Sequence, residues 1–216
     1  MKNSQRCFEL LEAGDADGLR TILASDPSAA EARDATGVSL VMHALYRGRR
    51  DIAEIVADKK KELDVFEATS LGRLERLVEC LKDAATVNPH SADGFTALHF
   101  ASYFGQPASA RLLLEKGAKV DAVAGNAMRV MPLHSAASAR NVEGARVLLE
   151  HGAPVNARQH GGWAPLHAAA QNGDRAMVEL LLKHGADPQA SNDDGKTAAS
   201  LAAEKGHTEI LALVER

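Results

Sequence analysis

Aromatic side chains are scarce in this sequence: one Trp, two Tyr and five Phe make up 4% of its 216 residues. Sheet-rich cores draw on β-branched and aromatic residues, so their scarcity beside abundant Ala, Leu and Gly points to closely packed helices. Cysteine is nearly absent. Cys7 and Cys80 lie far apart and match no ligand spacing, so reduced thiols in a cytosolic protein are expected. Both fall in apolar helical segments, where a thiol is expected to be buried and inert. No apolar stretch approaches 18 residues, and the opening "MKNSQRCFELLEAGD" has none long enough for a signal peptide. A long basic run is also missing. The largest basic cluster is "KKK" at 59–61 and the net charge is −4, so no nucleic acid is expected as main partner. The expectation is a soluble, cytoplasmic chain that does not touch a membrane.

Catalytic signatures are missing too. There is no G-x-S-x-G, no Gly-Lys-Ser/Thr phosphate loop and no H-E-x-x-H. "GNAMRV" and "GGW" are glycine-containing turns too short to cradle a nucleotide. Asp and Glu mostly stand at helix starts and on exposed faces, where they cap helices and keep the chain soluble. Neither an enzyme nor a cofactor is expected.

What the sequence does contain is a repeat. "TALHFASYFG" at 96–105 has relatives in "MPLHSAASAR" at 131–140, "APLHAAAQNG" at 164–173 and "TAASLAAEKG" at 197–206. His99, His134 and His167 are spaced by 35 and 33 residues, and Ser200 holds the next equivalent position. The first three copies lead into "ARLLLEKGAKVDA", "ARVLLEHGAPVNA" and "VELLLKHGADPQA". Weaker copies precede them in "CFELLEAG", "GVSLVMHALYRG" and "VFEATSLG". A glycine closes the first segment at Gly14, Gly48, Gly72, Gly105, Gly173 and Gly206, and Arg140 takes that place in the fifth copy.

These residues resemble the ankyrin-repeat family, whose unit of about 33 residues carries Thr-Pro-Leu-His, two alanines, a glycine, a Leu-Leu pair and Gly-Ala-Asp. "APLHAAAQNGDRAMVELLLKHGADPQA" at 164–190 matches nearly throughout. The resemblance spans essentially the whole chain, strong from residue 88 and degenerate before it. It implies an all-α ankyrin solenoid of stacked helix-turn-helix units joined by short β-hairpin loops. Seven units are expected in a single domain, 1–216, with approximate bounds 1–33, 34–63, 64–90, 91–123, 124–157, 158–190 and 191–216. "DPSAAEARDATG" reads as a loop between the first two units. The terminal units read as caps with polar outer faces. The starting Met and these caps argue against a segment of a larger protein, and a monomer is expected.

The physics of one unit agrees. Pro165 fits the first helical turn, Gly173 the left-handed helix end, and Asp174 the cap of the second helix. Met177, Leu180 and Leu181 share one face. Gly185 ends that helix, and Asp194-Gly195 makes a tight turn. One such pair cannot bury its apolar face; stacked pairs can. Two spacings are irregular. Gly48 to Gly72 spans 24 residues, so the connection around "DKKKELDV" is predicted to be truncated. His99 to His134 is longer than a period, so the hairpin holding "AVAGNAMRVMP" is predicted to protrude.

A metal site at the histidines is not expected. Ligands must converge to about 2 Å from one ion, whereas equivalent positions in neighbouring helix layers stand on the order of 10 Å apart. His151 and His184 meet the same objection. The resemblance implies that Thr96 and His99 share a local hydrogen bond; at His134 and His167 the Thr place holds Met131 and Ala164.

The resemblance also implies that partners meet the concave face, formed by hairpin tips and the exposed side of the first helices. In that register Tyr46, Phe95, Tyr103, Phe104 and Trp163, five of the eight aromatics, fall on one face. Phe95 and Phe104 also suit packing in the corner between hairpin and helix. Aromatics and Arg commonly dominate interface energy. The predicted partner-binding surface is Tyr46, Arg47, Phe95, Tyr103, Phe104, Met128, Arg129, Trp163, Gln171 and Asn172. The expected function is a non-enzymatic module or scaffold binding another protein. The alternative is a ligand-binding or regulatory subunit of a larger complex or enzyme, using the same groove.

Overall fold

A computed structural model describes residues 2–215. Its fourteen α-helices pair in chain order: α1 (Lys2–Ala13) with α2 (Ala16–Ser25), α3 (Leu40–Tyr46) with α4 (Arg50–Ala57), and α5 (Val65–Leu71) with α6 (Leu74–Cys80). Then follow α7 (Ala97–Tyr103) with α8 (Pro107–Glu115), α9 (Pro132–Ser138) with α10 (Val142–Glu150), α11 (Pro165–Gln171) with α12 (Arg175–Lys183), and α13 (Ala198–Glu204) with α14 (Thr208–Val214). The first helix of each pair packs on the first helix of the next, and second helices pack likewise, α2 on α4 and then in series from α6 to α14. This stacking buries an aliphatic core that no single pair could close.

Local chemistry explains the short helices. Proline opens α8, α9 and α11, where its missing N–H costs nothing. The side chains of Asp15, Asn141 and Asp174 cap α2, α10 and α12. Glycine closes the first helices, as Gly173 does at φ +65°. Arg140 adopts the same left-handed conformation at φ +57°, and its guanidinium donates to the Asn172 carbonyl of the next unit.

The connecting tips contain no β-strand among the described residues; there are only two isolated bridges, Arg33 with Ser39 and Ser191 with Thr197. Each tip is instead closed by a backbone hydrogen bond. Asp34 donates to Val38, Ser91 to Phe95, Gln159 to Trp163 and Asn192 to Lys196, at 2.8–2.9 Å. In the lengthened copy the bond runs from Ala124 to Val130 at 2.8 Å, so the two extra residues lie inside the tip. That tip is laced to both neighbours. The Gly125 N–H donates to the Gly94 carbonyl at 2.7 Å, and the His160 N–H donates to the Met128 carbonyl at 3.1 Å.

Gly94 sits at φ +87°, and a Cβ there would stand 2.9 Å from the Asn126 amide nitrogen. Gly94→Ala therefore meets both left-handed strain and backbone contact. We expect a loss on the order of 2 kcal/mol. Hydrogen exchange checks it: the Gly125 amide should lose its protection first.

The third unit departs most from the pattern. It has no tip, since α4 ends at Ala57 and α5 begins at Val65. Asp64 and Glu67 form a capping box at the start of α5, in the place that Thr and His hold elsewhere. Glu67 is fully buried, and Lys60 folds its ammonium down to it at 3.3 Å and to Glu31 at 2.8 Å. Burial alone would raise the Glu31 pKa, but hydrogen bonds from Lys60 and the Lys61 amide outweigh it and hold the carboxyl below its ordinary range. The apolar core divides at the same seam. One cluster runs from Cys7 to Ala57 and takes in Leu71 and Phe100; the other runs from Val65 to Val214. Leu63 and Phe66, both half-buried, touch both clusters.

Candidate partner-binding surface

Phe100 is the buried centre of an aromatic cluster. Phe95 packs against it edge-on at 5.7 Å, Phe104 stacks at 6.2 Å, and Phe66 meets it at 5.8 Å. Tyr46, two units back along the stack, stacks on Phe104 at 6.1 Å, and Tyr103 stands edge-on to Phe104 at 5.2 Å. Phe95 and Phe104 are half-buried and support the core, so the corner packing and the surface role meet in the same two rings. Tyr46 and Tyr103 are 41% and 50% exposed.

The truncated third unit makes this cluster possible. It places no tip between the second and fourth units. Two residues before its closing glycine it also carries the small buried Ser70, where its neighbours carry Tyr46 and Tyr103. Tyr46 thus reaches across the third unit, and its hydroxyl donates to the Asp93 carboxylate of the fourth unit's tip. Burial and that carboxylate push the Tyr46 pKa far up, so the phenol stays a donor. A pocket of about 230 Å³ opens among Tyr46, Phe95, His99, Phe100, Tyr103 and Ser135.

The other predicted surface residues lie elsewhere. Met128 and Arg129 are exposed on the lengthened tip, with Met128 at 55% exposure and Arg129 in a left-handed conformation. Trp163 is half-buried, edge-on to His167 at 5.9 Å. Arg47 turns toward the first unit, bonding His43 at 3.1 Å and Glu12 at 3.3 Å. The Gln171 carbonyl accepts from His207. The Asn172 amide donates to the Ala137 and Ser138 carbonyls, so this side chain ties adjacent units together. Asp93, Phe100 and Ser135 were not anticipated as parts of the site. The signal for Asp93 was its place before the turn glycine in "ADGFT"; for Phe100 it was a ring where "LHSAA" and "LHAAA" have small residues.

His99 contributes a neutral wall to the pocket. Its Nδ1 accepts from the Thr96 hydroxyl at 2.8 Å and from the Thr96 amide, while Nε2 donates to the Val130 carbonyl of the next unit at 3.0 Å. Burial lowers its pKa to about 4. His134 and His167 repeat the arrangement without a hydroxyl. The backbone N–H of Met131 or Ala164 takes its place, and Nε2 donates to the Ala157 and Trp163 carbonyls or to Ala190. Burial lowers both pKa values as well. With both ring nitrogens bonded to backbone, these histidines hold units together and have no lone pair free for proton transfer.

The Cys7 thiol is buried, and desolvation pushes its pKa up. Cys80 is half-buried rather than buried, because it faces the open seam beside Leu63; its thiol donates to the Leu63 carbonyl at 3.7 Å, and burial raises its pKa too. No described helix is long and apolar enough to cross a membrane.

Helix pairs stacked in register, joined by short tips and pinned unit to unit by backbone-bonded histidines, define a helical solenoid of the helix-turn-helix kind. The family description "Ankyrin repeats (3 copies)" matches residues 9–124, 65–159, 123–192 and 158–215. The chain belongs to the ankyrin-repeat proteins. Similar proteins include an ankyrin repeat domain-containing protein, SAT10, from Stachybotrys chartarum, 29% identical over 122 residues, or 55% of this chain and 6% of that one. Palmitoyltransferase Hip14 from Drosophila melanogaster is 33% identical over 95 residues, covering 44% of this chain and 15% of that protein. Ankyrin repeat and SAM domain-containing protein 6 from Danio rerio is 43% identical over 65 residues, covering 30% and 9%. The chain thus spans only a small part of the length of each of these relatives.

Proposed function

We propose that residues 1–216 form one non-enzymatic domain of seven units that works in the cytoplasm and binds a partner protein through tips and first helices. Ankyrin repeats are generally protein–protein interaction modules. The observation that carries the reading for this chain is the cluster around Tyr46 and Tyr103. A sequence with eight aromatics leaves two tyrosines half in solvent on a platform of three phenylalanines. Rings held rigidly by neighbours lose little entropy on binding, which suits them as interface anchors. Met128, Arg129 and Trp163 extend the surface along the tips. Arg47, Gln171 and Asn172 stand at its margin, since their bonds serve the stack. The second reading, a regulatory subunit of a larger assembly, draws on the small share of each relative that this chain covers. The same surface would serve it.

The test is Tyr103→Ala with Met128→Ala, both exposed. We expect the melting temperature to stay within about 3 °C of wild type, because exposed truncations cost little. Affinity purification with quantitative mass spectrometry should show specific partners depleted at least about 10-fold. Unchanged partners with a folded variant would sink the reading.

A further inference from the structure

The seam between the second and third units lacks both sets of bonds that join the later ones. From the fourth unit on, each tip receives a backbone N–H from the next. Gly125 donates to the Gly94 carbonyl at 2.7 Å, His160 to Met128 at 3.1 Å and Asp193 to Gly161 at 2.9 Å. The histidine bonds run over the same stretch, from His99 to the Val130 carbonyl, His134 to Ala157 and His167 to Ala190. In the second and third units Met42 and Glu67 stand in the histidine place. The tips of the second and fourth units touch, since a Cβ on Gly37 would lie 3.2 Å from the Ala92 Cβ. No backbone hydrogen bond joins those two tips among the described residues. The row of second helices breaks at the same seam, between α4 and α6. A cleft of about 680 Å³ opens there, with Ala57, Lys60, Leu63, Gly72, Arg73 and Arg76 in its walls.

Beyond the buried Lys60, what crosses the seam on the cleft side is exposed charge. Arg73 pairs with Glu54, and Arg50 donates to the Leu71 carbonyl at 2.7 Å. Exposed pairs are weak and are screened by salt. The tip side is closed by rings instead: Tyr46 stacks on Phe104 at 6.1 Å, and the half-buried Phe66 touches both cores. A junction packed on one side and open on the other bends about its packed side. We infer that the solenoid bends at this seam as two bodies, α1 to α4 and α5 to α14. The aromatic cluster is the pivot, and the cleft is the space that bending consumes. Tyr46 rides on the first body and Tyr103 on the second, so bending resets the angle between the two exposed rings. The bend itself does not depend on the partner-binding reading.

The test measures distances in the full chain by pulsed electron resonance between spin labels on introduced cysteines. Cys80→Ser removes the half-buried thiol, and Cys7 is buried. One pair, Asp51→Cys with Glu115→Cys, spans the seam from α4 to α8. The control pair, Glu115→Cys with Lys183→Cys, spans as many units from α8 to α12. All three positions are exposed. At about 0.05 M salt the seam pair should give a distance distribution about twice as wide as the control. At about 0.5 M it should widen further while the control stays fixed. Arg73→Gln, at a side chain 47% exposed, should widen the seam pair at low salt and leave melting within about 3 °C of wild type. The chain has two tyrosines, so fluorotyrosine labelling gives two fluorine signals. The Tyr46 signal should move with salt in step with the seam distance. A seam distribution as narrow as the control and indifferent to salt would overturn the inference. So would equal widening of both pairs, which means an evenly flexible stack. A Tyr46 signal that stays put while the distance changes would overturn the pivot.

Discussion

Acidification from pH 7 to pH 5 is expected to cost this protein about 2 kcal/mol through His99 alone. His99 has a folded-state pKa of about 4, because burial disfavours the imidazolium more than the Val130 carbonyl supports it. The unfolded chain holds an ordinary histidine near 6.5. Between those values the unfolded state binds more protons, so stability rises with pH across the window. The contribution is full above about pH 6.5 and disappears as pH falls toward 4. His134 and His167 are shifted in the same direction, so the loss is shared along the stack. Chemical denaturation at pH 7.0, 6.0 and 5.0 should show a steepening fall in unfolding free energy. His99→Gln should flatten that slope while lowering stability at pH 7. The range stops at pH 5 so that carboxylate titration contributes little. A pH-independent midpoint across it would contradict the burial of these rings.

The second large effect is expected at the seam. Lys60 is 2% exposed at its side chain and Glu67 is 0% exposed, so Lys60→Met leaves a buried carboxylate facing no cation. Breaking one side of such a pair typically costs about 3–5 kcal/mol, whereas replacing both partners is often neutral. Lys60→Met should therefore lower stability by several kcal/mol, and Lys60→Met/Glu67→Gln should recover most of it. Glutamine keeps an oxygen for the Asp64 amide, which the Glu67 side chain caps at 3.0 Å. Thermal melts of wild type, single and double variants complete the comparison. Because the core divides at this seam, the single variant should also loosen the first two units before the rest. Hydrogen exchange would then show α1 to α4 losing protection ahead of α7 to α14. A mild loss from the single variant with none regained in the double would mean the pair is not buried in solution.

How much of this was legible beforehand follows from what repeats encode. The register of "TALHFASYFG" against "APLHAAAQNG" foretold the first helices, their closing turns and the short tips, because each is a local choice of cap, proline, glycine and apolar spacing. The same register placed the histidines one per layer. Their bonding was only half readable. Thr96 advertised a hydroxyl partner, but the bonds that matter run to backbone carbonyls about thirty residues on, which no local pattern displays. The shortened spacing before Gly72 announced a missing tip. It did not announce that Lys60 would be buried against Glu67, since "KKK" reads as a solvated charge run.

The surface divides in the same way. The sequence by itself determined the helical stack and the confinement of scarce aromatics to a few register positions, since those depend on residues within one period. Only the tertiary structure decided which of those aromatics meet. Tyr46 and Asp93 are 47 residues apart and touch because the unit between them lacks a tip and carries the small Ser70 where its neighbours carry tyrosine. Arg47, adjacent to Tyr46 in the chain, faces the other way toward Glu12. Stacking is a sum over neighbouring units, so an omission in one unit changes contacts between its two neighbours. That is a property of the array rather than of any one repeat.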